Sequence, residues 1–155
     1  MTRRGRDSPL GAVAGRTVAR LVVDVPSSPD QVSTARHAVV AFLVEQGVSS
    51  VVVDDLELLT SELVTNAIIH PDATASQVVV VEVEASDTVV ISVSNVGSAA
   101  AIPPVDDWQP APPLAVSGRG LGIVKRLCDS VSVEQRGDLT VVSCRRRLPD
   151  GGGAP

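Results

Sequence analysis

Thr60-Ser61-Glu62-Leu63-Val64-Thr65-Asn66-Ala67-Ile68-Ile69-His70 is the stretch whose reading decides the fold. It reads as the second half of a helix that begins near Asp54. Asp54 is a suitable cap, and Glu57 three residues on completes a capping box. Leu56, Leu59, Leu63 and Ala67 recur at helical spacing and form a stripe that must be buried. Glu62 and Asn66 are four residues apart, so they stand one above the other on one flank of that stripe. Packing does not require a carboxylate and a carboxamide there. By itself such a pair reads as solvated surface, and its meaning comes from the rest of the chain.

The chain has 155 residues, a length that suits one domain with a sizeable core. Its hydrophobic fraction is 44%, enough to fold without disulfides or metal staples. The formal net charge is -5, with no Tyr, one Phe and one Trp, which argues against a nucleic-acid partner. Cys128 and Cys144 match no metal spacing and read as buried free thiols. No apolar run approaches the roughly 20 residues that span a bilayer. The basic start, Met1-Thr2-Arg3-Arg4-Gly5-Arg6, is not followed by a signal-peptide pattern, so a cytoplasmic protein is expected.

Outward from the central helix, residues 1–17 read as a disordered arm and 150–155 as a disordered tail, leaving one domain over 18–149. A strand is expected over 20–25. Ser28-Pro29-Asp30-Gln31 spells a helix start, and that helix runs to about Gln46 with Gly47 as its left-handed stop. His37 falls on its surface. Alternation predicts strands over 77–84 and 88–94 joined by a short turn, and a second hairpin over 131–148 turning at Gly137-Asp138. Arg145, Arg146 and Arg147 read as edge-strand charge. Residues 97–117 are rich in Ala and Pro without a period, as in a lid or binding loop, with Trp108 alone in it. His70 reads as structural. Helices and antiparallel hairpins are partly segregated, which predicts an α+β sandwich with one face of the sheet covered by helices.

Three polar pieces line up along this order. They are Glu62 with Asn66, then Ser94-Asn95-Val96-Gly97 at a strand end, then Ser117-Gly118-Arg119-Gly120-Leu121-Gly122-Ile123. Closely spaced glycines let backbone approach a ligand, and a following helix offers unpaired N–H groups and a positive dipole end to phosphate. No Lys-Ser/Thr follows, so this is not a Walker A loop. Asn66 suits Mg²⁺, which takes few protein oxygens and completes its shell with water and phosphate. Glu62, one turn away, can accept a proton from an attacking hydroxyl or water.

SELVTNAIIH, SNVG and GRGLGI together resemble the N, G1 and G2 boxes of the GHKL (Bergerat-fold) ATP-binding superfamily. Within it, the short chain and the opening Pro-Ser-Ser-Pro-Asp helix resemble the anti-sigma-factor serine/threonine kinases of actinobacterial type. The resemblance covers roughly residues 21–148. It implies a two-layer sandwich with a mixed, largely antiparallel sheet, about three helices on one face, and an ATP lid. It implies ATP and Mg²⁺ as cofactors, Glu62 as general base and Asn66 as metal ligand. Asn95 and Gly97 would meet the base, and Gly118, Arg119, Gly120, Leu121 and Gly122 the phosphates. The implied partners are a sigma factor and a STAS-domain anti-anti-sigma protein, phosphorylated on Ser or Thr, with a homodimer as the usual assembly. One departure stands out: Asn95 occupies the place of the family's Asp, and Ala99 that of its second glycine. The carboxamide oxygen still accepts a hydrogen bond but lacks the charge, which predicts weakened ATP binding. The alternative is a non-catalytic binding module acting by sequestration.

Overall fold

The computed structural model describes residues 2–7, 17–70, 77–109 and 119–150. Six strands are present among them: β1 (Thr2–Asp7), β2 (Val18–Pro26), β3 (Val78–Ala85), β4 (Thr88–Val96), β5 (Ser130–Arg136) and β6 (Leu139–Arg147). Three α-helices accompany them: α1 (Val32–Glu45), α2 (Ser50–Ile68) and α3 (Arg119–Leu127). The sheet order is β1-β2-β3-β4-β6-β5, and every described pairing is antiparallel, so the sheet is simpler than the mixed one expected.

The core forms where period-2 strands meet period-3.6 helices. Leu21, Val23 and Val25 of β2, Val79, Val81 and Val83 of β3, and Val89, Ile91 and Val93 of β4 all point to one face and are buried. Against them lie Ala35, Val39, Phe42 and Leu43 of α1, and Leu56, Leu59, Leu63 and Val64 of α2. Each such Val, Leu, Ile or Phe side chain removed from water contributes about 1.5–3 kcal/mol. The opposite face mixes Val22, Val80 and Val90 with polar pairs: Arg20 pairs with Glu82 at 2.7 Å, and Ser92 meets Ser143 at 2.9 Å.

Several expectations need correction. The helix α2 starts at Ser50, not near Asp54, and Ser49 rather than Asp54 takes the N-cap position, without a side-chain cap bond. Val52 and Val53 are buried, so tertiary packing carries the helix through a β-branched run that propensity disfavours. Residues 2–7, expected in a disordered arm, pair along β2. Backbone ladders satisfy an open edge without demanding an apolar pattern, and Thr2–Asp7 has none. Residues 8–16 and 151–155 lie outside the described residues. The Arg145–Arg147 run is not at an edge: β6 sits between β4 and β5. Arg146 instead reaches inward, donating to Asp55 of α2 at 3.1 Å and to the Leu127 carbonyl at the end of α3 at 2.7 Å. It ties both helices of the site to the sheet.

The start of α1 follows the sequence more closely. A 3-10 turn at Pro29–Gln31 leads into it, Ser28 bonds the Asp30 carboxylate, and Gly47 ends it at φ 76°. His37 is exposed, as expected. Gly137 makes the β5–β6 turn at φ 61°. Both cysteines are free; Cys144 is buried and Cys128 half-buried.

Candidate functional site

The last two turns of α2 carry Glu62 and Asn66 toward α3. Thr60 and Ser61 fit this helix because their hydroxyls donate back to Leu56 O (2.7 Å) and Glu57 O (3.1 Å). Gly120 of α3 lies against the Glu62 and Asn66 side chains of α2. A β-carbon there would lie 2.5 Å from Glu62 Oε2 and 3.5 Å from Asn66 Nδ2. Gly120 is therefore a cradle for these two side chains. Gly120, Leu121 and Gly122 lie within the first turn of α3, where the sequence predicts a turn ahead of a helix. A glycine that lets two helices touch is as much at home inside a helix as before it, so spacing alone does not set the boundary. The first-turn N–H groups of α3 have no helical acceptors, and no acidic residue of α3 lies among them. Gly118 lies outside the described residues, and Arg119 contributes the first residue of the helix.

Asn66 Nδ2 is shielded from solvent and has no hydrogen-bond partner among the described residues. A buried amide end without a partner costs about 1–3 kcal/mol. The two ends of a carboxamide exchange by a flip, so Asn66 can turn either donor or oxygen to a ligand beside Glu62. Mg²⁺ commonly takes only one or two protein oxygens and completes its shell with water and phosphate, and Asn66 can offer one such oxygen near the start of α3. The residues therefore fit a metal–phosphate group. No cluster of three or more His, Cys, Asp or Glu exists among the described residues to hold a metal by protein ligands alone.

Asn66 also lines a cavity of about 190 Å³. Leu63, Ala67, Val93, Ile102, Leu121 and Val142 give it apolar walls, and Asn66, His70 and Asn95 are its polar members. It is smaller than the about 300–1,000 Å³ of complete ligand pockets and suits one flat ring system with a polar edge. Asn95, the penultimate residue of β4, is buried; its Nδ2 donates to Val96 O at 3.2 Å, leaving the carboxamide oxygen as an acceptor.

His70 is more than a helix end. Its ring is buried, lines the cavity, and Nε2 lies 3.1 Å from Ser98 O, which places the ring proton on Nε2. A β-carbon on Gly97 would stand 2.6 Å from the ring Cε1. Gly97 is thus glycine because the imidazole occupies its side-chain space. Two further residues escape a sequence reading. Thr140, fully buried and opposite Asn95 on β6, donates to Gly97 O at 2.7 Å. Gln135 on β5 contacts Gly97 and Ala99. Neither sits in a motif, and only the pairing of β4 with β6 brings them near. Ala99 begins a 3-10 turn (Ala99–Ala101), and among the described residues only glycines take positive φ, so no glycine is needed there.

The loop after β4 is also more ordered than its composition predicts. It makes 3-10 turns at Ala99–Ala101 and Val105–Asp107. Trp108 is docked in the core at 3% exposure, with Nε1 donating to Pro103 O at 2.8 Å. Isolated apolar anchors between tight turns leave no periodic trace. Residues 110–118 lie outside the described residues.

The sequence of residues 25–146 matches the family described as histidine kinase-like ATPase domain. The chain belongs to the histidine kinase-like ATPase family. Membership implies ATP binding and bears out the GHKL resemblance of the three boxes. The fold has solved neighbours. One is the RsbU and RsbW domains of Rv1364c from Mycobacterium tuberculosis, with a TM-score of 0.63 and 21% identity over 83% of this chain. This chain spans 32% of that one. Another is the SiaB–SiaC complex from Pseudomonas aeruginosa, with a TM-score of 0.59, 14% identity, and coverage of 82% of this chain and 89% of that one. At these identities the likeness is one of fold. No curated protein matches the chain. Among the described residues no helix is long and apolar enough to cross a membrane.

Proposed function

We propose that this histidine kinase-like ATPase domain is a protein serine/threonine kinase that binds Mg-ATP between α2 and α3. In this reading it phosphorylates a STAS-domain anti-anti-sigma partner and sequesters a sigma factor. The observation that carries the reading is the juxtaposition of Glu62, Asn66 and Gly120 beside an apolar cavity ending at Asn95. Adenine fits the cavity, with its amino group donating to the Asn95 oxygen. The first-turn N–H groups of α3 take the phosphates, whose charge the helix dipole favours. Asn66 holds Mg²⁺, which when bound neutralises phosphate charge. A partner hydroxyl oxygen attacks the terminal phosphorus, the bond to the ADP oxygen breaks, and the hydroxyl proton passes to the Glu62 carboxylate. Arg119 at the start of α3 is the nearest cation in sequence to the phosphate end. A protein partner is in keeping with the SiaB neighbour, which is in complex with SiaC.

A second reading has a specific observation behind it. Asn95 stands where the family carries a charged acceptor, and a neutral bond is roughly half as strong. The domain would then act by binding a partner, with ATP structural or absent. Transfer of label from ATP to a STAS protein, with Glu62→Gln as control, separates the two. Transfer that falls by at least about a hundredfold in the variant supports catalysis, the size expected for a general base. Equal transfer by both proteins removes Glu62 from the chemistry, and no transfer by either favours sequestration.

A further inference from the structure

Gln135 projects from β5, the edge strand, and is exposed, yet its amide is fully engaged with backbone. Oε1 accepts from Ala99 N at 2.7 Å. Nε2 lies 3.0 Å from Gly97 O, 3.0 Å from Gly137 O and 3.1 Å from Leu139 O. Two hydrogens serve three carbonyls, so at least one is shared. Both ends of one side chain thus span the β5–β6 hairpin turn and the segment that leaves β4. The Gly97 carbonyl also accepts from Thr140 Oγ1, which uses both of its lone pairs. The Gly97 N–H donates to Asp138 O at 2.9 Å. Every polar group of Gly97 therefore ends on the hairpin, two residues after Asn95.

A solvated glutamine would keep its rotamer freedom, and nothing in the sheet requires this one to be fixed. We infer that Gln135 is a positioning residue for the base-recognition turn. It holds residues 97–99 against the hairpin so that Asn95 faces the cavity and the loop after it starts on a fixed path over His70. This inference rests on the ATP reading of the cavity. It demands an amide with both ends in use. In Gln135→Ala both ends are lost. In Gln135→Glu the acceptor for Ala99 survives, but the donor is replaced by negative charge facing three carbonyls.

The test compares the wild-type chain with Gln135→Ala and Gln135→Glu by amide hydrogen exchange, thermal unfolding, and titration with Mg-ATP and Mg-GTP. Ala99 exchange is expected to accelerate in Gln135→Ala, with the unfolding midpoint little changed. ATP affinity should drop about fivefold to tenfold in both variants, the factor by which the fraction of free protein holding Asn95 toward the cavity falls. GTP affinity should move less, so the preference for adenine narrows; general loosening of the fold would weaken both nucleotides alike. Equal ATP affinity in wild type and variants, or parallel losses for ATP and GTP, overturns the inference while leaving the ATP site standing. Absence of nucleotide binding by the wild-type chain overturns the ATP reading and the inference with it.

Discussion

Glu62 Oε2 lies 2.5 Å from the point where a β-carbon on Gly120 would be. The carboxylate of one helix fills the side-chain space of the other, and the juxtaposition depends on a single absent methyl group. Gly120→Ala tests it with opposing expectations. In an exposed helix this change stabilises by about 1 kcal/mol. Here the methyl displaces the end of a flexible side chain, which is cheap for the fold and costly for alignment. Unfolding should shift little, whereas phosphotransfer should fall at least tenfold, in line with the cost of a misplaced catalytic group. Unchanged transfer would separate Glu62 from the reaction.

Gly97→Ala meets the imidazole of His70 instead, and that ring is buried on the cavity wall. Overpacking of this kind costs about 1–3 kcal/mol. Denaturant unfolding should show that loss, and His70→Ala in the same chain should recover part of it. Additive losses in the double variant would contradict a direct clash.

Asn95→Asp carries two effects of opposite sign. It removes the donor to Val96 O and sets a buried carboxylate beside that carbonyl, so the free protein should lose about 1–3 kcal/mol. It also restores a charged acceptor for an amino group, so ATP should bind more tightly. Calorimetry on both forms checks the pair of outcomes; weaker ATP binding in the variant removes Asn95 from base recognition.

The two cysteines differ in acidity because an interaction between their sulfurs favours the thiolate of Cys128 at the expense of Cys144, while the Cys128 thiol donates to Val124 O at 3.1 Å. That interaction, with burial, pushes the Cys144 thiol far above its ordinary range, while it holds Cys128 below that range. A lowered pKa means more thiolate at a given pH, and Cys128 is the more accessible of the two. Iodoacetamide followed by mass spectrometry should therefore modify Cys128 first, with an onset below that of a free thiol. Prior labelling of Cys144 would contradict the pairing.

Much of this architecture is legible in the chain because burial leaves periodic marks. Val79, Val81 and Val83 alternate, and Leu56, Leu59 and Leu63 recur by turns, so both layers can be read. Glu62 and Asn66 are different: alone the pair reads as solvated surface, and only the two later polar pieces single it out. Other features leave no such mark. The strand Thr2–Asp7 pairs through backbone, α2 extends to Ser50 through tertiary burial, and β6 slips between β4 and β5 by a nonlocal pairing. That last step brings Thr140 and Gln135 to Gly97, and it explains why neither belongs to a motif. His70 reads as structural in the sequence, and it does pack, but its ring also forms part of the cavity.

The most direct test of the site is calorimetric titration with Mg-ATP of the wild-type chain and of Asn66→Ala, repeated with the metal chelated. The account predicts saturable binding by the wild type, weakened at least tenfold without Mg²⁺, and by a similar factor in Asn66→Ala whether or not the metal is present. No heat at millimolar nucleotide, or an Asn66→Ala variant that binds Mg-ATP as the wild type does, would contradict it.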